Sequence, residues 1–202
     1  MYNIEKGECF MKEKKISAVQ ICFIALGVVI NIVGGFIGLT FRLPIYMDSI
    51  GTILVASVIG PWGGIVTALL GGLISGMTDI YAIYFLPAGM IVGGIAGKLF
   101  PKVAEKKWSI PFTGLLITIP GTLVSACINA FVFGGVTSSG SSILVLILNH
   151  LGVNLVVSAM LTQVVTEYLD RCIALFLVYE VYSVLSSEMK RKIKGEITNG
   201  TV

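Results

Sequence analysis

Two aspartates, Asp48 and Asp79, border a stretch of 30 residues that contains no charged side chain. A carboxylate next to apolar helices is costly unless it is paired or faces water. Asp48 therefore has three interpretations: an ion pair with Arg42, an N-cap for the next helix, or the wall of an outward-facing polar pocket. Asp79 precedes IYAIYF at residues 80–85, and because aspartate is a favoured cap, it is interpreted first as an N-cap and second as a pocket residue.

Amides and one imidazole are the other groups that point to a polar site. The segment LNHLGVNL, residues 148–155, supplies Asn149, His150 and Asn154, and Asn129 lies in the preceding apolar run. His150 and Asn154 are four residues apart and share one face of a continuous helix, whereas Asn149 and His150 diverge. The histidine has a second interpretation, a hydrogen bond to a neighbouring helix.

Aromatic side chains accompany these groups at the outer helix ends. Tyr46, Tyr81, Tyr84 and Phe85 each fit an interfacial aromatic belt. Combined with the carboxylates and amides, they favour a pocket for a flat small molecule with polar edges. The loop GGVTSSGSS, residues 134–142, is a candidate lid or an ordinary connector. The scarcity of outward bases argues against a multiply anionic ligand, and no cofactor or metal ion is predicted.

Composition identifies the elements that must position these residues. Hydrophobic residues make up 55% of the 202 and charged residues only 12%, with a mean hydropathy of +0.94. Soluble domains contain about 25% charged residues. The sequence therefore predicts an all-α integral membrane protein. The four cysteines form no C-x-x-C pair and are interpreted as small buried hydrophobes.

Uncharged runs and their breakers predict a compact bundle of six transmembrane helices. We expect a cytoplasmic N-terminal segment at 1–16, the membrane domain at 17–187 and a basic cytoplasmic tail at 188–202. The domain includes a cytoplasmic extension of its last helix. The Gly60-Pro61 dipeptide is predicted to turn two short helices at the cytoplasmic side. The predicted spans are 17–39, 45–60, 62–78, 81–100, 109–133 and 143–166.

The distribution of basic residues orients this bundle. Six spans put both termini on one side, and 13 of the 14 Lys and Arg residues, including Arg171, then lie on that side. Only Arg42 is left opposite. By the positive-inside rule both termini are cytoplasmic.

Signatures of common catalytic sites are absent from the sequence. There is no GxxxxGK[ST], since GGIAGK at 93–98 has the wrong spacing, and there is no HExxH or GxSxG. The chain is therefore predicted not to be an enzyme, and nothing in it suggests a nucleic-acid partner. Alternatives to a solute-binding transport subunit are a membrane sensor or scaffold with 167–202 as its output helix, and a stand-alone secondary carrier of a small polar solute.

Three stretches resemble the substrate-binding S component of energy-coupling factor (ECF) transporters. They are PIYMDSIGTILVASVIGPWGGIVTALLGGLISG at 44–76, LPAGMIVGGIAGKLF at 86–100 and TEYLDRCIALFLVY at 166–179. The resemblance covers most of residues 17–185. It implies a multi-pass protein of the bacterial plasma membrane that captures a vitamin-like micronutrient. A transmembrane coupling subunit and two ATPase subunits would supply the work.

The resemblance leaves the ligand and the docking surface open. The ligand classes that fit are pyridines, pyrimidines, flavins and cobalamin. Many S components carry alanines four residues apart on the first helix, facing the coupling subunit. This chain departs from that pattern, and the candidates for docking are Ala18 with Cys22 and Gly34 with Gly38.

Overall fold

The computed structural model describes residues 16–134 and 141–195, and every regular element in these ranges is helical. This confirms the predicted all-α class. Nearly all of the N-terminal segment, most of the candidate lid and residues 196–202 of the tail lie outside the described ranges. The helices are α1 (Ala18–Thr40), α2 (Ile50–Ile59), α3 (Pro61–Ser75), α4 (Tyr81–Tyr84), α5 (Leu86–Glu105), α6 (Ile110–Phe133), α7 (Ser141–His150), α8 (Leu155–Val184) and α9 (Ser187–Lys194).

Two or three helices in the described part of the chain are candidates for crossing a membrane. In the part of the chain that the structure describes, α1 and residues 107–133 are long and apolar enough to span a membrane. A third span is obtained if α8 and α9, which meet at a bend of 109°, are counted together. Helices α2, α3 and α7 are apolar but only 10 to 15 residues long. The structure is therefore that of a helical membrane protein.

The predicted turn at Gly60-Pro61 is confirmed. Gly60 has φ of +100°, a value that glycine adopts readily, and it caps the end of α2 with a hydrogen bond to the carbonyl of Ala56. Pro61 is the first residue of α3, where its missing N–H costs nothing. At 10 and 15 residues, α2 and α3 are about 15 Å and 22 Å long.

The segment between α1 and α2 turns back along α1. A Cβ placed on Gly38 would lie 3.0 Å from the carbonyl oxygen of Tyr46, and one on Gly34 would lie 2.2 Å from that of Met47. Asp48 follows, with its Cβ 3.6 Å from a Cβ built on Gly35. Gly35 is five residues from the end of α1, so Asp48 lies about 8 Å below that end.

This packing corrects the expectation that Gly34 and Gly38 dock a partner. Both glycines are buried, because the backbone of residues 45–47 lies against them inside the chain's own fold. Ala18 and Cys22, on the same helix, are exposed. Only this second pair remains available as a docking surface.

The predicted sixth span, 143–166, is not one helix. Helix α7 ends at His150 and α8 begins at Leu155, because Gly152 takes φ of +92° and Asn154 caps α8. The prediction that His150 and Asn154 share a helix face is therefore wrong. The predicted continuation of the last helix is confirmed, since α8 runs without interruption to Val184.

Helices α3 and α5 cross at two glycines. A Cβ on Gly93 would lie 2.6 Å from both the carbonyl carbon and the carbonyl oxygen of Gly64. Membrane helices gain most of their association energy from such close approach, because lipid provides no hydrophobic force between them. Gly89, one turn earlier on α5, is different, since its Cβ would make an ordinary contact at 3.6 Å with Ala68.

We predict that Gly93→Ala lowers the stability of the bundle by about 1–3 kcal/mol, because the added methyl group meets backbone that cannot move aside. Gly89→Ala is the matched control on the same helix and should leave stability unchanged or slightly raised. Thermal unfolding of both variants in detergent measures the difference. Equal melting temperatures would contradict the close crossing.

Candidate functional site

A cavity of about 130 Å³ lies among α1, α2, α3, α5, α6 and α8. Its polar lining comes mostly from α1, α2, α6, α8 and the segment before α2, while α3, α4 and α5 add an apolar side. The polar residues are Asn31, Tyr46, Asp48, Ser49, Thr52, Ser75, Ser125, Gln163, Glu167 and Arg171. The apolar residues are Ala68, Gly71, Gly72, Ala82, Phe85, Leu86, Ala88, Gly89 and Val92.

Asp48 is open to this cavity. Its side chain is accessible, and its carboxylate accepts no hydrogen bond from another residue in the described ranges. The charges of Asp170, Arg171 and Glu167 are close enough to act on it. Arg42 is exposed and forms no salt bridge with Asp48, so of the three interpretations the structure favours the pocket wall.

Asp170 on α8 holds the segment that carries Asp48. Its Oδ1 accepts a hydrogen bond from the Met47 backbone N–H at 2.8 Å, and its Oδ2 accepts one from the Ser49 hydroxyl at 3.1 Å. Arg171 pairs with Oδ2 and donates from the same Nη1 to Ser49 Oγ at 2.8 Å. Met47 has φ of +55°, which is uncommon outside glycine, so this anchored backbone is also strained.

Glu167 lies one turn away on α8 and is fully engaged. Its Oε2 accepts from Thr122 at 2.9 Å, and its Oε1 accepts from Ser125 at 2.5 Å and from Gln163 at 3.1 Å. Arg171 Nη2 is 4.0 Å from Oε2. Because each buried charge has several partners, the desolvation cost of the cluster is offset by charge-assisted hydrogen bonds.

Asn31 and Thr52 join α1 to α2 at the cavity wall. The Asn31 amide donates to Thr52 Oγ1 at 2.8 Å, and its oxygen accepts from the Thr52 backbone N–H at 3.1 Å. Both side chains are buried. This pair gives the first turn of α2 a partner for its backbone N–H, which a helix terminus otherwise lacks.

Among the predicted site residues, Tyr46 and Asp48 line the cavity. Asn129 is buried behind it, where its Nδ2 donates to Gln163 Oε1 at 3.1 Å. Its own Oδ1 is without a partner in the described part of the chain. Asn129 therefore supports the wall rather than facing the cavity.

Asp79, Tyr81 and Tyr84 lie outside the cavity lining. Asp79 Oδ1 accepts from the Tyr81 backbone N–H at 3.1 Å, which is an Asx-type turn. The N-cap of α4 is Ile80, so the prediction that Asp79 is an N-cap is wrong. The rings of Tyr81 and Tyr84 pack on Phe133, with centroids 4.7 Å and 5.2 Å apart. Phe85 belongs to the same aromatic cluster and does reach the cavity.

Asn149, His150 and Asn154 are exposed at the break between α7 and α8. Asn149 donates to the backbone carbonyl of Val153 at 3.1 Å, and Asn154 accepts from the Val156 N–H at 2.9 Å. None of the three lines the cavity. The two asparagines satisfy backbone groups where the helix is interrupted, and this interruption overrides the helical spacing that grouped the three residues.

The sequence reasoning missed the charged centre of the site. Glu167, Asp170 and Arg171 are 5%, 2% and 9% exposed, and all three point into the protein from the middle of α8. The placement of Arg171 among cytoplasmic charges is therefore wrong. Asp170 and Arg171 lie three and four residues after Glu167, and this spacing puts them on the same helix face as Glu167. That spacing is the sequence pattern that could have indicated the cluster. The other polar lining residues that were missed are Asn31, Ser49, Thr52, Ser75, Ser125 and Gln163.

Comparison with protein-family models, with curated proteins and with solved structures finds no match to this chain. Within the described residues, no group of three or more His, Cys, Asp or Glu side chains is arranged to hold a metal ion. The function is therefore argued from the cavity and from the resemblance carried by the three quoted stretches.

We predict that Asp170→Ala destabilises the protein by about 3 kcal/mol, because it leaves the Arg171 guanidinium buried without its main partner. The Met47 backbone N–H also loses its acceptor, so its amide hydrogen should exchange faster. Thermal unfolding and hydrogen–deuterium exchange of residues 43–49 measure both effects.

The control for this change is Glu180→Ala on the same helix. Glu180 pairs with Lys107, but both side chains are nearly half exposed, so the loss should be at most about 1 kcal/mol. If exchange at Met47 is the same in Asp170→Ala as in the parent protein, Asp170 does not hold this segment.

Proposed function

We propose that this chain is the substrate-specific S component of an ECF-type importer in the bacterial plasma membrane. It captures a vitamin or a related small heteroaromatic micronutrient. The observation that carries the proposal is the cavity at Asp48, which combines converging polar groups with an apolar side. Cavities of this composition suit a flat small molecule with polar edges.

The proposed architecture has six membrane segments with both termini cytoplasmic. The segments are α1, α2 with the non-helical segment before it, α3, α5, α6 and α8. The non-helical segment supplies length that α2 lacks, and its partly buried backbone hydrogen bond to Asp170 meets the requirement that lipid imposes on polar groups. In this proposal the end of α1 lies at the outer surface and the cavity faces outward.

Partner subunits supply the energy in this proposal. The sequence has no GxxxxGK[ST], so ATP hydrolysis is assigned to two ATPase subunits that act through a transmembrane coupling subunit. The exposed N-terminal half of α1, with Ala18 and Cys22, is the proposed docking face for the coupling subunit.

The partners are tested by affinity capture of the tagged chain from membranes of its own host. We expect mass spectrometry to identify a coupling subunit and P-loop ATPase subunits in the captured complex. Cys22→Trp should reduce their recovery because it adds bulk to the docking face. Ile37→Trp, on an exposed face near the other end of α1, is the control and should leave recovery unchanged. Capture without any ATPase subunit contradicts the proposal.

The cavity itself is tested by filling it. A Cβ on Gly71 meets the Asn31 side chain at 3.5 Å, an ordinary contact, so Gly71→Leu projects into the cavity without a backbone clash. Native mass spectrometry should detect a bound small molecule on the purified parent chain and none on Gly71→Leu. Leu70→Phe adds bulk at the neighbouring exposed position and should keep the molecule. Retention by Gly71→Leu would remove the cavity as the binding site.

A further inference from the structure

We infer that the cavity takes a small planar molecule that carries one positive charge and a neutral hydrogen-bond acceptor, with Asp48 as the counter-ion. This inference rests on the proposed function, because it names the charge class of the solute that the site captures.

The cavity and the cluster beside it contain more acid than base. Asp48, Glu167 and Asp170 contribute three carboxylates, and Arg171 contributes the one guanidinium among the described residues of the cluster. This gives the ionised groups a formal charge of −2. Attraction between charges is stronger here than in bulk water, because the surrounding helices are apolar. A ligand with one positive charge reduces the imbalance, and an anion increases it.

Asp48 is the carboxylate that can act on a ligand. Glu167 and Asp170 each accept hydrogen bonds from three groups and are almost fully buried. Asp48 accepts none from another described residue and is accessible from the cavity. Its charge is therefore the one available to pair with a solute.

Arg171 is unsuited to bind an anion. Its Nη1 pairs with Asp170 and Ser49, and its Nη2 is directed to Glu167. The positive charge of Arg171 is therefore already balanced by two carboxylates of the protein. Its Nε–H has no partner in the described ranges, although Arg171 is 91% buried and lines the cavity. The Nε atom is enclosed in the cavity wall. Ligand binding therefore includes a small rotation of the Arg171 side chain, which brings this N–H to a carbonyl or hydroxyl oxygen of the ligand without adding charge.

The apolar side favours a flat ring. Ala68, Gly71 and Gly89 have small side chains or none, so the cavity wall formed by α3 and α5 is nearly flat. A flat wall suits the face of an aromatic ring. Tyr46 and Phe85 supply aromatic rings to the same cavity. Aromatic faces attract cations, so these residues add to the preference set by Asp48.

Three pyridines of nearly equal size test the charge preference. N1-methylnicotinamide is a cation with an amide carbonyl, nicotinamide is its neutral counterpart, and nicotinate is an anion. Each is titrated by calorimetry into the purified full-length chain in detergent after any co-purified molecule has been removed. We expect the cation to bind at least about tenfold more tightly than nicotinamide, and nicotinate to show no binding.

Variants at the two aspartates assign the preference to Asp48. Asp48→Asn should reduce the ratio of the N1-methylnicotinamide affinity to the nicotinamide affinity by about tenfold or more, because only the cation loses a counter-ion. Thermal unfolding reports whether the variant is still folded. Asp48→Glu should retain the preference. Asp79→Asn is the matched control outside the cavity and should leave both affinities unchanged.

Three results overturn the inference. One is equal or tighter binding of nicotinamide or nicotinate, the second is an unchanged affinity ratio in Asp48→Asn, and the third is no binding of the cation to the parent chain. The proposed function is decided separately by capture of the ATPase subunits. A chain that assembles with those subunits but shows no charge preference retains its proposed function and loses only the charge inference.

Discussion

The carboxylate of Asp170 is the group on which the rest of the site depends. It accepts the Met47 backbone N–H and the Ser49 hydroxyl, and it pairs with Arg171. An unpaired backbone N–H is costly where no water can reach it, so a non-helical segment below the end of α1 needs such an acceptor. This anchoring explains why a non-glycine residue is held at positive φ immediately before Asp48.

The cavity follows from three features that no single helix contains. The segment before α2 is non-helical and runs back along α1. Small residues on α3 and α5 bring those helices close without filling the space beside them, as at Gly64 and Gly93. The buried charges of α8 need hydrogen-bonding partners from α6 and from the segment before α2. Polar groups therefore converge on one cavity while the outer helix faces stay apolar.

Several features could be read from local patterns. The apolar composition predicts helices, and Gly60 with Pro61 predicts a tight turn, because both depend on residues that are neighbours in the sequence. The turn stabilised by Asp79 is equally local, since its carboxylate accepts from the N–H of Tyr81, two residues along the chain. Helix α4 nevertheless begins one residue later than a cap at Asp79 would require. The break at Gly152 is also local, yet a continuous apolar pattern on both sides obscured it.

The sequence by itself determined a helical, membrane-type chain and the turn between two short helices. It also identified Asp48 as a carboxylate beside apolar helices that requires a partner or contact with water. Only the tertiary structure decided that Asp48 meets Glu167, Asp170 and Arg171, which are about 120 residues away along the chain. A lone Arg171 near the end of an apolar run resembles a cytoplasmic anchor. It becomes a buried ion-pair partner only when α8 continues past it and packs against α2. The reason is that the free energy of burying a charge depends on which groups surround it in the folded protein.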